Sequence, residues 1–364
     1  MEFVDINRVI IYIMLFFVLV GAADQITGSR LRLGNKWEEG IMAMGTLVIS
    51  TAGLLVLAPL IGNILKPLIG PVFGWMGADP GVFGGMIWDL DTGGAALVKQ
   101  LTSSQEGYAV GIITSAMLGV TITYNIPVAM NLTKKEYQKD VAKGILIGII
   151  AIPVGVFVGS LFAGVSMGTV LINLIPVAAL SLIIIICLWK WEQIIVRIFI
   201  ILGKVILGIS VAGTCLGALS GFIGFTPFKD IMPLDEAFAI IGNVAVILAG
   251  AFVLVEIITR ILKKPLQKAG AKMGINETAV GALLVTLANS LPIFNEMGEM
   301  NERGRIVTSA FCVSGAFVLG DHLGFIASFD PDMIASVVTS KLVGGICAVV
   351  IALFLTSPKE SAQQ

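Results

Sequence analysis

The sequence predicts an all-α polytopic membrane protein built from two inverted repeats, and three observations carry that expectation. Apolar residues make up 57% of the chain and charged residues 13%, with a mean hydropathy of +0.97. Apolar runs of about 18 or more residues, the length that crosses a hydrocarbon core roughly 30 Å thick, recur along it. Compared with itself at a shift of 197 residues, the chain superposes Glu39 on Glu236, Gly45 on Gly242, Ala52 and Gly53 on Ala249 and Gly250, and Ile64, Leu65, Lys66 on Ile261, Leu262, Lys263. The register holds through Gly84 on Gly281 and Gly107 on Gly304, as an internal duplication requires.

Eleven apolar segments follow in order, near 6–23, 40–62, 80–98, 108–130, 144–164, 169–189, 200–224, 238–259, 279–295, 306–328 and 334–356. Glu2 and Asp5 against Arg8 give the first run the wrong charge for a secretory leader, so it is expected to stay as a helix. The shift divides the chain into a first repeat over 1–165, a connecting helix over 166–194, a second repeat over 195–357 and a polar C-terminal tail over 358–364.

Parity then decides how the repeats are related. If all eleven segments cross, the repeats are parallel, and the basic residues divide 14 to 8 between the faces. If segments 80–98 and 279–295 each enter and leave on one face, the repeats are inverted. Then 18 of the 23 basic residues collect on one face, and only Arg8, Lys66, Lys99 and Lys229 on the other. Lys341, inside the last apolar segment, belongs to neither count. The 18-to-4 split is the asymmetry that a cytoplasmic face carries. The expected topology is therefore nine spanning helices plus two re-entrant hairpins, N-terminus outside and C-terminus inside. Eleven crossings are the alternative.

Composition excludes several classes. A net charge of −1 leaves no basic face for nucleic acid. Cys187, Cys215, Cys312 and Cys347 each lie in an apolar run without zinc-site spacing and read as packing residues. Motifs of metalloproteases, serine hydrolases and P-loop nucleotide enzymes are missing, so the chain reads as a non-enzyme needing no cofactor and no metal. Gly155 with Gly159, and Gly213, Gly217 and Gly221, have the spacing that brings helices close.

The chemistry sits where the two hairpins break. Asp89 and Asp91 stand in the run Trp88–Asp89–Leu90–Asp91–Thr92–Gly93–Gly94. A carboxylate at membrane depth costs about 2.5 to 3.5 kcal/mol on insertion scales, so a cation is the natural compensator. The alternative is a tip that reaches water. At the matching place the second hairpin carries Thr286–Leu287–Ala288–Asn289–Ser290–Leu291–Pro292, a neutral break in which Asn289 is expected to take a hydroxyl. Asn295, Glu296 and Glu299 then mark its return to solvent. Asp321 and His322, the only histidine, stand together between Gly320 and Gly324, where Asp321 adds negative charge and His322 tunes it or takes a proton. Under the shift they oppose Tyr124–Asn125–Ile126–Pro127, another polar break, and Trp88 has two readings, a packing or interfacial ring, which is the commoner role, or a ring that stacks on a bound cation.

The strings EEGIMAMG (38–45), TLANSLP (286–292) and GDHLGF (320–325), with WDLDTGG between the first two, resemble the ethanolamine utilisation permease family over nearly the whole chain. That resemblance implies a multi-pass permease of the bacterial inner membrane that imports ethanolamine for breakdown by an ammonia-lyase in a microcompartment. A protonated amino alcohol needs carboxylates and a hydrogen-bonding partner, and Asp89, Asp91, Asp321 and Asn289, with His322, Trp88 and Asn125 around them, suit one. The expected mechanism is alternating access, by uniport or linked to protons. A gated channel for small amines or ammonium, and a membrane enzyme acting on an amino alcohol, are the rival classes. The expected partners are the substrate and the lipid bilayer, and a homo-oligomer is compatible with the sequence.

Overall fold

The computed structural model describes residues 5–356, so the polar tail expected over 358–364 lies outside the described residues. Among those described there is helix and no strand, and seven helical stretches are long and apolar enough to cross a membrane. The chain is an all-α polytopic membrane protein.

It begins with α1 (Ile6–Ile26), capped by the Asp5 carboxylate on the Asn7 amide. α2 (Leu33–Leu47) runs through a π turn at Val48–Ala52 into α3 (Gly53–Trp75), giving one apolar stretch of 43 residues. At about 1.5 Å per residue that is roughly twice the hydrocarbon thickness, so it extends well beyond one perpendicular crossing.

The segment expected over 80–98 is two short helices, α4 (Gly81–Ile87) and α5 (Ala95–Leu101), separated by an unwound stretch. Its two ends meet. Asp79 accepts from the Gly81 amide at 2.7 Å at the start of the segment and from the Ser103 amide at 3.0 Å and the Ser104 hydroxyl at 2.9 Å just past its end. A seven-residue helix rises only about 10 Å, so the pair reaches in and turns back. α11 (Glu277–Ala288) and α12 (Leu291–Asn295) repeat the device. Asn276 donates to the Glu299 carbonyl at 2.7 Å, and Asn301 donates to that of Gly274 at 2.9 Å. Asn295, Glu296 and Glu299 are exposed, as expected of a return to water.

Between and after the hairpins run α6 (Gln105–Thr114), α7 (Ile126–Leu132), α8 (Gln138–Phe162), α9 (Met167–Ile223), α10 (Leu234–Met273), α13 (Glu302–Gly315), α14 (Asp321–Phe329) and α15 (Ile334–Leu355). Segments 169–189 and 200–224 are the two arms of α9, which bends between them at Trp191 (φ −136°, ψ 44°), where the backbone leaves helical geometry. One element differs from the segment list. Segment 306–328 is divided into α13 and α14, because Ala316 to Gly320 leave the helix and Phe317 takes a φ of 62°. The polar break expected at Tyr124–Pro127 is a pair of π turns, Ser115–Gly119 and Thr121–Asn125, that join α6 to α7 without interruption.

The core is made by close helix contact. Gly144 and Gly148 of α8 face α13 at Ile306 and Val313, while Gly155 and Gly159 face α15 at Ser340. Gly213 of α9 lies against the Gly53 backbone, and any Cβ there would overlap it; Gly221 has open space and no such role. The elements of the two halves fall in register at the 197-residue shift. Ile26 and Ile223 end helices, Asp79 and Asn276 stand at the hairpin bases, Ser104 and Asn301 cap α6 and α13, and Leu132 and Phe329 end α7 and α14.

Candidate functional site

The site is built on the unwound stretch of the first hairpin. Trp88 and Asp89 are extended, and a π turn over Leu90–Gly94 leads into α5. Gly93 has a φ of 97°, open to glycine alone at low cost, and a side chain there would also strike Leu54. Three bonds hold the loop: Ser115 donates to the Trp88 carbonyl, the Gly94 amide to the Asp89 carbonyl at 2.7 Å, and the Leu90 amide to Asp89 Oδ1 at 2.7 Å. Asp89 and Asp91 are buried, 4% and 6% exposed. The alternative of a hairpin tip reaching water is thereby overturned.

α14 brings His322 to them. Its Nε2 lies 3.0 Å from Asp89 Oδ1 and 4.0 Å from Asp91 Oδ1, although His322 follows Asp89 by 233 residues in the chain. The ring stacks on Phe317 at 5.5 Å, and Phe317 meets Tyr124 edge-on at 5.3 Å. The strained Phe317 backbone is held by the second hairpin, whose Thr286 and Leu287 carbonyls accept from the amides of Phe317 at 3.0 Å and Leu319 at 2.8 Å. Gly320 lies against the Ala288 carbonyl, where a Cβ would collide. The tip of the second hairpin therefore sets the turn that aims His322.

Several buried polar atoms of this cluster have no hydrogen-bond partner: Asp91 Oδ1, Thr92 Oγ1 and His322 Nδ1. Leaving such groups unsatisfied costs about 1 to 3 kcal/mol each, which a small polar ligand seated among them would offset. Two buried carboxylates make a cation the natural charge complement of the cluster. Asp89, Asp91 and His322 each offer an atom within 4.8 Å of the others, so the same three have the spacing of a metal-ligand set.

The remaining expected residues divide. Asp321 is half-buried at the start of α14, next in the chain to His322. Asn289 is not in the cluster. Its Oδ1 accepts from the Leu291 amide at 2.9 Å, which caps α12, and it lines a separate cavity of about 180 Å³ with Lys36, Glu39 and Glu256. An asparagine at a helix break meets its own chain two residues on, and that local bond sets its direction. Asn125 is fully buried but serves as a link, donating to the Cys312 carbonyl and accepting from the Ser290 hydroxyl, both at 3.3 Å. Trp88 packs its ring with Leu54, Leu97, Leu101 and Ile206, the packing role expected of it, and its Nε1 is buried without a hydrogen-bond partner.

Sequence reasoning missed Lys341, Thr92 and the aromatic support at Phe317. Lys341 carried a signal, an ammonium in the middle of an apolar helix; it is 0% exposed and donates to the Ala116 carbonyl.

Long apolar helices, a hairpin whose ends meet and buried acids at its tip are the features of a polytopic membrane protein with a polar centre, and the comparisons with known proteins place it among transporters. The chain belongs to the family described as ethanolamine utilisation protein, EutH, whose model matches residues 6–355. It is 42% identical over 97% of its length, and 95% of the relative's, to the probable ethanolamine permease EutH of Listeria monocytogenes. It is 33% identical to the protein of the same name from Salmonella typhimurium, over 99% of this chain and 97% of that one. A Bacillus subtilis relative, YxeR, is 35% identical over 99% and 97%. These relatives set the chain among permeases rather than enzymes. No solved structure matches it.

Proposed function

We propose that the protein imports ethanolamine, as the protonated amino alcohol, across the bacterial inner membrane. One observation carries the reading: two buried carboxylates and a histidine converge at an unwound hairpin with unpartnered polar atoms around them. Asp89 and Asp91 take the ammonium. The hydroxyl goes to Thr92 Oγ1 and His322 Nδ1, in place of Asn289, which is turned away. The names of the relatives support this choice of substrate over other small cations.

The paired hairpin bases and matching helix ends at the 197-residue shift support two repeats of inverted sense that present the site to either side in turn. The basic-residue asymmetry supports an N-terminus outside and a C-terminus in the cytoplasm. Uniport suffices for accumulation: entry of a monovalent cation into a negative interior gains about 2.3 kcal/mol per 100 mV, or roughly fifty-fold. Proton linkage through His322 is tested by the lumenal pH change that accompanies uptake.

The decisive experiment is labelled ethanolamine uptake into proteoliposomes by the wild type and by Asp89→Asn, Asp91→Asn and Asp321→Asn separately. Loss in the first two is expected, and unchanged uptake in all three overturns the site. Exchange faster than net flux marks a carrier, whereas equal rates mark a channel. Uptake unaffected by EDTA is expected; loss on chelation with recovery on adding a divalent cation reassigns the three ligands to a metal.

A further inference from the structure

Lys341 is the one fully buried ammonium in the described residues, and the binding scheme above gives it no task. It sits in α15, a helix otherwise without charge. Of its three N–H groups the Ala116 carbonyl accepts one, and among the described residues no carboxylate oxygen stands within 4.0 Å of it. Yet it belongs to the same layer as the acids. Ser115, next to Ala116, holds the carbonyl of Trp88, next to Asp89, so one residue's step on each side links the Lys341 acceptor to the first acid. A lysine carries its charge on a flexible four-carbon stem, and its Nζ can exchange one acceptor for another without a change in the backbone.

We propose that Lys341 is a tethered counter-ion that occupies the carboxylate pair when the transported amine has left it. This rests on the reading that Asp89 and Asp91 bind the ammonium. The physical argument concerns the empty carrier. A transporter that delivers net substrate must return its site with nothing bound, and a bare carboxylate carried through a low-dielectric interior is strongly disfavoured. An ammonium on the same chain removes that obstacle, and it yields to the substrate because both compete for the same oxygen atoms. Lysine suits the role better than arginine, whose planar fork would hold the carboxylate too firmly to release it. The Ala116 carbonyl is then the resting place of the displaced ammonium.

Net uptake and exchange separate this role from a structural one, because exchange never requires the empty carrier to return. Lys341→Gln keeps a donor for the Ala116 carbonyl and removes the charge; Lys341→Met removes both. In proteoliposomes each is expected to lower net ethanolamine uptake by at least about tenfold while leaving labelled-for-unlabelled exchange within about threefold of wild type. Competition also predicts that both variants bind ethanolamine more tightly than wild type, measured on the purified protein. Recovery of net uptake in Lys341→Gln, or a parallel fall of uptake and exchange in a variant with unchanged melting temperature, overturns the proposal. If Lys341→Met does not fold, Lys341→Gln alone decides. Failure of the underlying reading looks different: Asp89→Asn would then leave both modes of transport intact.

Discussion

At the tip of the first hairpin the helix stops at Trp88 and presents two carboxylates that are buried and only partly partnered. At the tip of the second it stops at Asn289, whose side chain bonds its own chain at Leu291 and looks onto a surface cavity. The first tip has unmet bonding capacity and the second spends its own on backbone. Yet the second is no bystander, since its carbonyls hold Phe317 and Leu319 and through them set the ring of His322. In the binding scheme we propose, two segments with the same backbone device divide the work: one offers charge to a ligand, the other shapes the turn that completes the site.

Substitutions at the two tips test that division. The largest effect is expected from Asp89→Asn, which keeps the bond from the Leu90 amide and removes only charge. Unpairing a buried charge site costs about 3 to 5 kcal/mol, so uptake should fall by more than about a hundred-fold with little change in melting temperature. His322→Ala removes the imidazole that faces both carboxylates, and about 10- to 100-fold weaker ethanolamine binding is expected by titration of the purified protein. Gly320→Ala pushes a Cβ onto the Ala288 carbonyl, so it should destabilise the protein by about 1 to 3 kcal/mol and lower affinity although it touches no ligand. An unaltered affinity there would separate the second hairpin from the site. The smallest effect belongs to Asn289→Ala, expected to lose about 1 kcal/mol of local capping and to change affinity by less than about threefold. A larger loss of binding would place the amide at the ligand and collapse the contrast between the tips.

How much of this was legible depends on what a residue answers to. Crossing helices and hairpin breaks were readable because charge in hydrocarbon is costly wherever it occurs, and Asp89 and Asp91 announce themselves without knowledge of any partner. The direction of Asn289 was not, because a bond two residues along the chain competes with the long-range one that the repeat suggested. The approach of His322 to Asp89 was legible only as a pair of separate polar breaks. Their meeting depends on Phe317 leaving the helix, and that strain is imposed by carbonyls some thirty residues earlier. Trp88 and Asn125 carry the same lesson: the residue type fits a ligand, but the neighbours that folding supplies are apolar side chains for one and a carbonyl and a hydroxyl for the other. Lys341 belongs to neither face in the topology count, and its cost in an apolar helix signals a buried acceptor, which it finds at the Ala116 carbonyl.

The 57-residue α9, bent once at Trp191, has a consequence for how such a chain could arise. In the arrangement we propose, each repeat crosses the membrane an even number of times and would end on the face where it began. A gene copied end to end would then give two units pointing the same way. The first half of α9, with no counterpart at the 197-residue shift, supplies the one additional crossing that turns the second copy over. Two hairpins entering from opposite faces would follow from that single added helix, and the tips of the copies were then free to diverge into one that carries two carboxylates and one that carries no charge.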